Sequence, residues 1–486
     1  MNKLLLFWLS IPLLAACSPN STLPERVQSD ADLIIQNVTT IDAVSGERPN
    51  MDVAIASDRI VSVKPSGGKA TATGTNIIDG TDKFLIPGLW DAHVHLAYDS
   101  EIGHESFFPL ALAHGVTYLR DTGGHLDKLT EARALASSDK VTPDLYVSGP
   151  LVDGEKRVYA GQSATTPNLS IGVATREQAI AEVDRLAAQD VNFIKAYEML
   201  APDVFRAVVL QAKKHDLPVT AHSPLSMTAG QAIEAGISDM QHLRNLEMDC
   251  VADPEMLLQQ RETVMAANEA EYGGKLRSEI HRLQRHKAVQ ARNAESCKTL
   301  IALMKSKGVS QTPTLTISRF LSRKLYADKN WQDTFQMMPP TVAQKWTQIA
   351  SRLASRKPTT SDKAYDDWLM TMVSDLNQAG ISILAGTDAP IGFLTPGASL
   401  HEELIMLVEA GLTPLEAIRA ATIAPAAFFN LQDSQGSVAP KMQADLVLLT
   451  KNPLTDIQNI KDIDLVIKDG QVVAVPTRKE LYRNMD

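Results

Sequence analysis

Eight short apolar runs, separated by helical patterns, set the narrowest limit on what the middle of this chain can form. They are FLIPGLWDAHVH (84–95), VTYLRDTGG (116–124), DLYVSGPLVDG (144–154), NFIKAYE (192–198), PVTAHS (218–223), DMQHLR (239–244), SQTPTLTI (310–317) and ISILAGTDAP (381–390). Segments such as REQAIAEVDRLAAQD and PDVFRAVVLQAKKH lie between them, with apolar residues recurring at helical spacing. A helix between two strands returns the chain to the starting edge of the sheet, so such strands run parallel. Eight units of this kind predict an α/β chain with a (β/α)8 TIM barrel over residues 85–430, its working face at the C-terminal strand ends. Two spacings, Asn245 to Ser310 and Arg319 to Gly380, are too long for simple crossovers. Both are charged, helix-rich and follow strand ends, so both are expected to cover that face. No repeat of about 20–50 residues is visible, which excludes a solenoid.

The flanks have a different texture. LIIQNVTTID, DVAIASDRIVSVKP and NIIDGTDKFLIPG alternate with period two and break at Ser-Gly and Gly-Gly, as antiparallel strands do. The texture returns in ADLVLLT, DLVIKDG and QVVAV near the other end. Residues 32–84 and 431–477 are therefore expected to build one small β-sandwich domain jointly, with 478–486 left as a tail. Hydrophobic residues at 44% and charged residues at 21% exclude a disordered, collagenous or coiled-coil chain. A net charge of -10 argues against a nucleic-acid partner, which calls for a basic face.

The chain opens MNKLLLFWLSIPLLAACSPNS: Lys3, an apolar run from Leu4 to Leu14, then small residues ending at Cys17. The run is shorter than the about 20 residues that span a bilayer, so residues 1–17 read as a secretory signal and the polar 18–31 as a tether. LAAC also resembles the lipobox of bacterial lipoproteins. That resemblance implies lipidation at Cys17 and firm anchoring, since each buried methylene contributes about 0.8 kcal/mol. With Ser18 rather than Asp next, it implies the outer membrane, facing the periplasm or the cell surface. The plainer alternative is a secreted protein with an incidental Cys17. Cys250 and Cys297 remain; in an oxidising compartment they could pair or stay as buried thiols, and nothing in the sequence brings them together.

The chemistry gathers at strand ends. In Asp91-Ala92-His93-Val94-His95 the two imidazoles share a face, as alternate residues of a strand do, and make half a metal site. Lys195 in NFIKAYE shares its face with Phe193 and Tyr197. An ammonium buried there without a partner is costly, so its pKa would fall. The neutral amine could then take up carbon dioxide, giving an anionic carbamate able to bridge two metals. Three further strands end in His222, His242 and Asp388. Singly, each residue has a plainer use: a loop histidine, a rim lysine, a satisfied core histidine, a helix N-cap. Jointly, five strands deliver ligand-type residues to one end.

The ordered set DAHVH, FIKAYE, AHS, QHL and GTDA, within Leu33 to Val475, resembles the amidohydrolase superfamily, in its imidazolonepropionase-like and prolidase-like subgroup. The resemblance implies two divalent metal ions. His93, His95, Asp388 and the carbamate of Lys195 would hold one; His222, His242 and the same carbamate would hold the other. Zinc is the expected ion, since imidazole and carboxylate-type oxygens suit it, with manganese or iron as alternatives. The implied reaction is hydrolysis of an amide or peptide bond in dipeptides or N-acyl amino acids, by a metal-bridging hydroxide with Asp388 as proton shuttle.

Substrate-facing candidates are Tyr197, Arg244 and His125, together with the loop 154–162. Arg244 could instead pair with Glu247 or Asp249. The remaining histidines (His104, His114, His215, His281, His286 and His401) are expected in surface or capping roles. Alternatives within the superfamily are a cyclic amidase, a lactonase or a deaminase. Deaminase-like members carry a Glu three residues after the fifth-strand histidine, where this chain has Leu225. A lipoprotein that only binds a ligand is the reading from a different class, and self-association is left open.

Overall fold

The computed structural model describes residues 31–67, 75–163, 166–269 and 271–473. The signal segment 1–17 with Cys17, the tether up to residue 30 and the tail 478–486 lie outside the described residues.

Strands β1 (Leu33–Asp42), β2 (Gly46–Ala56), β3 (Arg59–Pro65), β4 (Asn76–Asp79) and β5 (Phe84–Pro87) open the chain. They join β17 (Leu446–Leu449), β18 (Ile463–Lys468) and β19 (Gln471–Val473) in one eight-stranded sheet. Both ends of the chain therefore build one sheet domain. The expected sandwich is drawn as a single hydrogen-bonded sheet, because β5 pairs parallel with β1 and antiparallel with β17 and so makes the ladder continuous. Period-two alternation separates its two faces. Leu85, Leu446 and Leu448 pack in the sheet's own core, whereas Ile86, Val447 and Leu449 join the main core. Gly88 lets the chain pass from β5 into the main unit; a Cβ there would fall on the Thr117 hydroxyl.

The main unit holds β6 (Leu89–Val94), β7 (Val116–Asp121) and β8 (Asp144–Val147) in one parallel sheet. A second sheet runs β12 (Ser170–Gly172), β9 (Leu151–Asp153), β13 (Ile194–Ala196), β14 (Val219–Ala221), β15 (Asp239–Gln241) and β16 (Ser310–Thr312), again parallel throughout. The hairpin of β10 (Ala160–Ser163) and β11 (Thr166–Asn168) lies outside both.

Two expectations need correction. The third apolar run is two strands, β8 and β9, in different sheets. Gly149, at φ +72°, turns the chain left-handed, and Pro150 has no N–H to continue a ladder. The eighth run forms no named strand. It makes isolated parallel bridges, Ile383 to Gln311 and Ala389 to Val94, so it lies between β16 and β6. On the other side Asn192 N donates to Val147 O at 2.9 Å, linking the approach to β13 with β8.

Because the strands run parallel, the residues that follow them share one end. The two long insertions are helical, with Pro254–Ala267, Gly273–Gln290 and Ala294–Lys307 in the first and Lys329–Phe335, Pro340–Leu353 and Thr360–Gln378 in the second. The structure joins Cys250 and Cys297 in a disulfide with Cα atoms 4.4 Å apart. Among the described residues no helix is long and apolar enough to cross a membrane.

Candidate metal centre

His93, near the end of strand β6, and His95, just past that end, bring their Nε2 atoms to 3.2 Å from each other. Asp388 Oδ1 lies 3.2 Å from His93 Nε2 and 3.1 Å from His95 Nε2. The His242 ring centre is 4.6 Å from that of His93, and the His222 ring centre is 4.6 Å from that of His242. Four imidazoles from three strand ends and one carboxylate from the 381–389 segment thus form one continuous buried cluster. Lys195, on β13, is also fully buried, and its Nζ has no hydrogen-bond partner. The backbone bends to make this possible. His242 (φ 62°) and Asp388 (φ 71°) occupy the left-handed region, which costs a non-glycine residue about 1–3 kcal/mol.

A further ring of contacts aims the imidazoles. His222 Nδ1 meets Glu198 Oε1 at 2.6 Å, His242 Nδ1 meets Thr314 Oγ1 at 2.6 Å and His95 Nδ1 meets Gly123 O at 3.1 Å. A carbonyl and an ionised carboxylate can only accept, so His95 and His222 carry their proton on Nδ1 and keep the Nε2 lone pair for a ligand. Metal-binding histidines are oriented in this way. Asp91 holds the cluster's scaffold, accepting from Thr387 N at 3.0 Å and from the Thr387 hydroxyl at 2.7 Å.

Burial governs ionisation. It pushes His93 down to about 3, and His222 and His242 well below the usual imidazole range. His95 differs: burial opposes its charge, and the neighbouring Asp388 outweighs burial and moves its pKa upward. Burial also drives Lys195 well below the ordinary lysine range. At Asp388 burial alone would raise the carboxyl, and the imidazoles of His93 and His242 override it, holding the group well below the usual carboxylate range. The neutral imidazoles of His93, His222 and His242 beside an ionised carboxylate are what a divalent cation requires. The donors of His93, His95 and Asp388 all lie within 4.8 Å of one another, and the orphaned Lys195 amine adds an unspent polar atom, so the residues present fit a metal.

Among the substrate-facing candidates, the Tyr197 ring lies 4.4 Å from that of His222. Arg244 pairs with neither residue named from the sequence: its Nη1 is 3.4 Å from Glu198 Oε1. Glu247 faces Arg285 at 3.6 Å, and Asp249 accepts from Ala229 N and Gly230 N at 2.8 Å each. His125 lies in the loop after β7, and its Nε2 is buried without a hydrogen-bond partner. His401 is not a surface residue. It is buried, and its Nε2 donates to His114 O at 2.8 Å. Sequence reasoning passed over Glu198, Thr314 and Arg277. A carboxylate closing FIKAYE was the available signal for Glu198; Arg277, on an insertion helix, left none.

Parallel strands whose ends gather imidazoles, a carboxylate and a buried lysine define the class: an α/β protein arranged for metal-assisted chemistry. The chain belongs to the amidohydrolase family, whose profile matches residues 84–330 and 337–473. Ochratoxinase from Aspergillus niger is 22% identical over 446 residues, which cover 81% of this chain and 76% of the relative. Adenine deaminase 3 from Rhizobium meliloti is 34% identical over 88 residues, 18% of this chain, and the aligned part spans only 15% of that relative's length. Among solved structures, a Xaa-Pro dipeptidase with bound methionine in the active site is similar at a TM-score of 0.63 and 18% identity. The match covers 91% of this chain and 99% of that one, and it is a likeness of fold.

Proposed function

We propose that the chain is a binuclear metal-dependent hydrolase that cleaves the amide bond of dipeptides or N-acyl amino acids. The observation that carries this reading is the buried convergence of His93, His95, His222, His242 and Asp388 beside the unpartnered Lys195 amine. In this reading the parallel strands close as a (β/α)8 barrel through the 381–389 segment. His93, His95 and Asp388 would hold one metal and His222 and His242 a second, with Lys195, once carboxylated, adding an anionic oxygen ligand. Zinc is the ion whose preferences fit imidazole with carboxylate-type oxygens. Bound metal supplies Lewis acidity toward the substrate carbonyl and a water of lowered pKa.

The chain's own residues do the rest. Asp388, ionised and within 3.2 Å of two imidazoles, takes one proton from the attacking water and delivers it to the departing nitrogen. The C–N bond breaks as the acyl carbon gains the water's oxygen; the nitrogen gains one of its protons through Asp388 and the other is released to solvent, so the products are a carboxylate and an amine. Glu198 holds His222, and Tyr197, Arg244 and His125 face the substrate. The likeness to a Xaa-Pro dipeptidase and to ochratoxinase supports amide cleavage. Leu225 is fully buried where deaminase-like relatives carry an acid, which disfavours deamination. The reading extends to the N-terminus, as an export signal with lipidated Cys17 that anchors the enzyme at the outer membrane.

The test is a screen of dipeptides and N-acyl amino acids on protein loaded with zinc and bicarbonate, reading new amine. Amine release from these substrates is the expected result. Ammonia without a new carboxylate would redirect the reading to deamination. Turnover of cyclic amides or lactones alone would move it to those classes. Inactive protein holding well under one ion per chain would leave a binding lipoprotein.

A further inference from the structure

A cavity of about 560 Å³ opens where the second insertion meets the sheet domain, and none of the metal cluster's residues lines it. Its size falls within the range of small-molecule sites. His114, just past helix Gly103–Ala113, and His401, on helix Ala398–Glu409, line it together with Arg323, Trp331, Ile405 and Lys461. The wall is fixed in place: Thr334 on helix Lys329–Phe335 meets Thr395, Oγ1 to Oγ1, at 2.7 Å, and the Phe335 ring lies 6.4 Å from that of Phe393. A cavity held in this way costs an occupant little ordering of the protein.

The two imidazoles have spent their protons on the backbone. His114 Nδ1 donates to Leu110 O at 2.8 Å and His401 Nε2 to His114 O at 2.8 Å, with the ring centres 5.5 Å apart. Burial holds both rings neutral, pushing His401 down to about 3 and His114 below the usual imidazole range. Each therefore keeps one lone pair, His114 on Nε2 and His401 on Nδ1. Two imidazoles alone do not make a metal site, and among the described residues the three-membered clusters of ligand-type side chains lie elsewhere. What suits two such lone pairs is a ligand that donates, and an ammonium does so. Positive charge stands on the same wall. Arg323 faces Glu409 Oε1 through Nη2 at 3.0 Å, and Lys461 meets Glu402 Oε1 at 2.6 Å. Asp328, a further acid on the wall, is occupied by Trp331 N at 3.1 Å. A guanidinium held through one nitrogen keeps the rest of its fork for a carboxylate. Trp331 and Ile405 add apolar surface.

We propose that this cavity is a second binding site, separate from the metal centre, that takes a free amino acid with an apolar side chain. Its ammonium donates to His114 and His401, and its carboxylate meets Arg323. The site goes beyond the amide-hydrolase reading and stands without it, although cleavage of a dipeptide would release such a ligand.

Calorimetric titration of L-leucine into zinc-loaded full-length protein tests this, and saturable binding is the expected result. Two analogues separate the contacts: 4-methylpentanoate lacks the ammonium and 3-methylbutylamine lacks the carboxylate. Each should bind at least about tenfold more weakly than leucine, as the loss of a charged hydrogen bond predicts. Arg323→Met and His401→Leu should each weaken leucine by about tenfold or more. Lys195→Ala, which alters the metal centre, should leave leucine affinity as in wild type. Loss of binding in Lys195→Ala with full affinity in the other two variants would place leucine at the metal centre and overturn the proposal. No saturable binding to wild type, or an analogue that binds as tightly as leucine, would overturn it too. If His401→Leu does not fold, Arg323→Met decides alone, since that side chain is 36% exposed and its loss leaves the core intact; unchanged affinity there overturns the site.

Discussion

Replacing Glu198 with Gln would separate orientation of a metal ligand from its charge. The side chain is fully buried; burial alone would raise its pKa, and Arg277 and Arg244 outweigh that and keep it ionised. Gln has nearly the same volume and can still accept from His222 Nδ1, so the ring should remain close to its native place. The negative charge that makes that imidazole a better donor is lost. Removing such a supporting group typically lowers metal affinity about 10- to 100-fold, or roughly 1.4–2.7 kcal/mol. Arg244 and Arg277 also lose their shared counter-charge. Breaking a fully buried pair costs about 3–5 kcal/mol. The two arginines are 25% and 16% exposed, so solvent should screen this to about 2 kcal/mol. Chelator competition would measure the affinity, and urea unfolding of metal-free protein the stability. Excess zinc should recover part of the activity and none of the metal-free stability. Wild-type affinity together with a wild-type urea midpoint would refute the argument that Glu198 organises this side of the cluster.

Lys195→Ala should nearly abolish hydrolysis, with partial rescue by small carboxylic acids that replace the lost bridge; unchanged turnover would rule out the carbamate. His401 is held neutral by burial, with its pKa pushed down to about 3, whereas in the unfolded chain it titrates near its ordinary 6.5. The unfolded state therefore takes up the proton first, so this contribution is intact above pH 6.5 and is lost as pH falls toward 3. Between neutrality and about pH 5 the loss is on the order of 2 kcal/mol, and His401→Gln should remove that part of the decline in urea midpoints. Parallel declines in both proteins would show the histidine is not its source. Cys297→Ser opens a loop with a sequence separation of 47 residues, for which chain entropy gives a loss of about 4 kcal/mol. Unfolding of oxidised wild type against the variant checks this, and identical midpoints would mean that the stems are held by packing alone.

Much of the candidate site is legible because its signals are local. His93 and His95 share a face through the two-residue repeat of one strand, and Lys195, His222, His242 and Asp388 each lie within or directly after an apolar run. The joint sheet is legible from the strand-like runs in both flanks, although burial along β1 (Leu33–Asp42) and β2 (Gly46–Ala56) does not alternate strictly. The break at Gly149-Pro150 could have been read from its two residues, yet which sheet each half joins could not.

What the sequence by itself determined is the inventory: most of the parallel strands, and the ligand-type side chains at their ends. The tertiary structure alone decided that Glu198 meets His222, that Arg244 turns to Glu198 rather than to its chain neighbours, and that Cys250 pairs with Cys297. The difference is physical. Strand and helix periodicity is written between residues two to four positions apart, whereas these contacts join residues 24, 46 and 47 positions apart in the chain. Their partners are chosen by how whole helices pack over the strand ends, and no local pattern carries that choice.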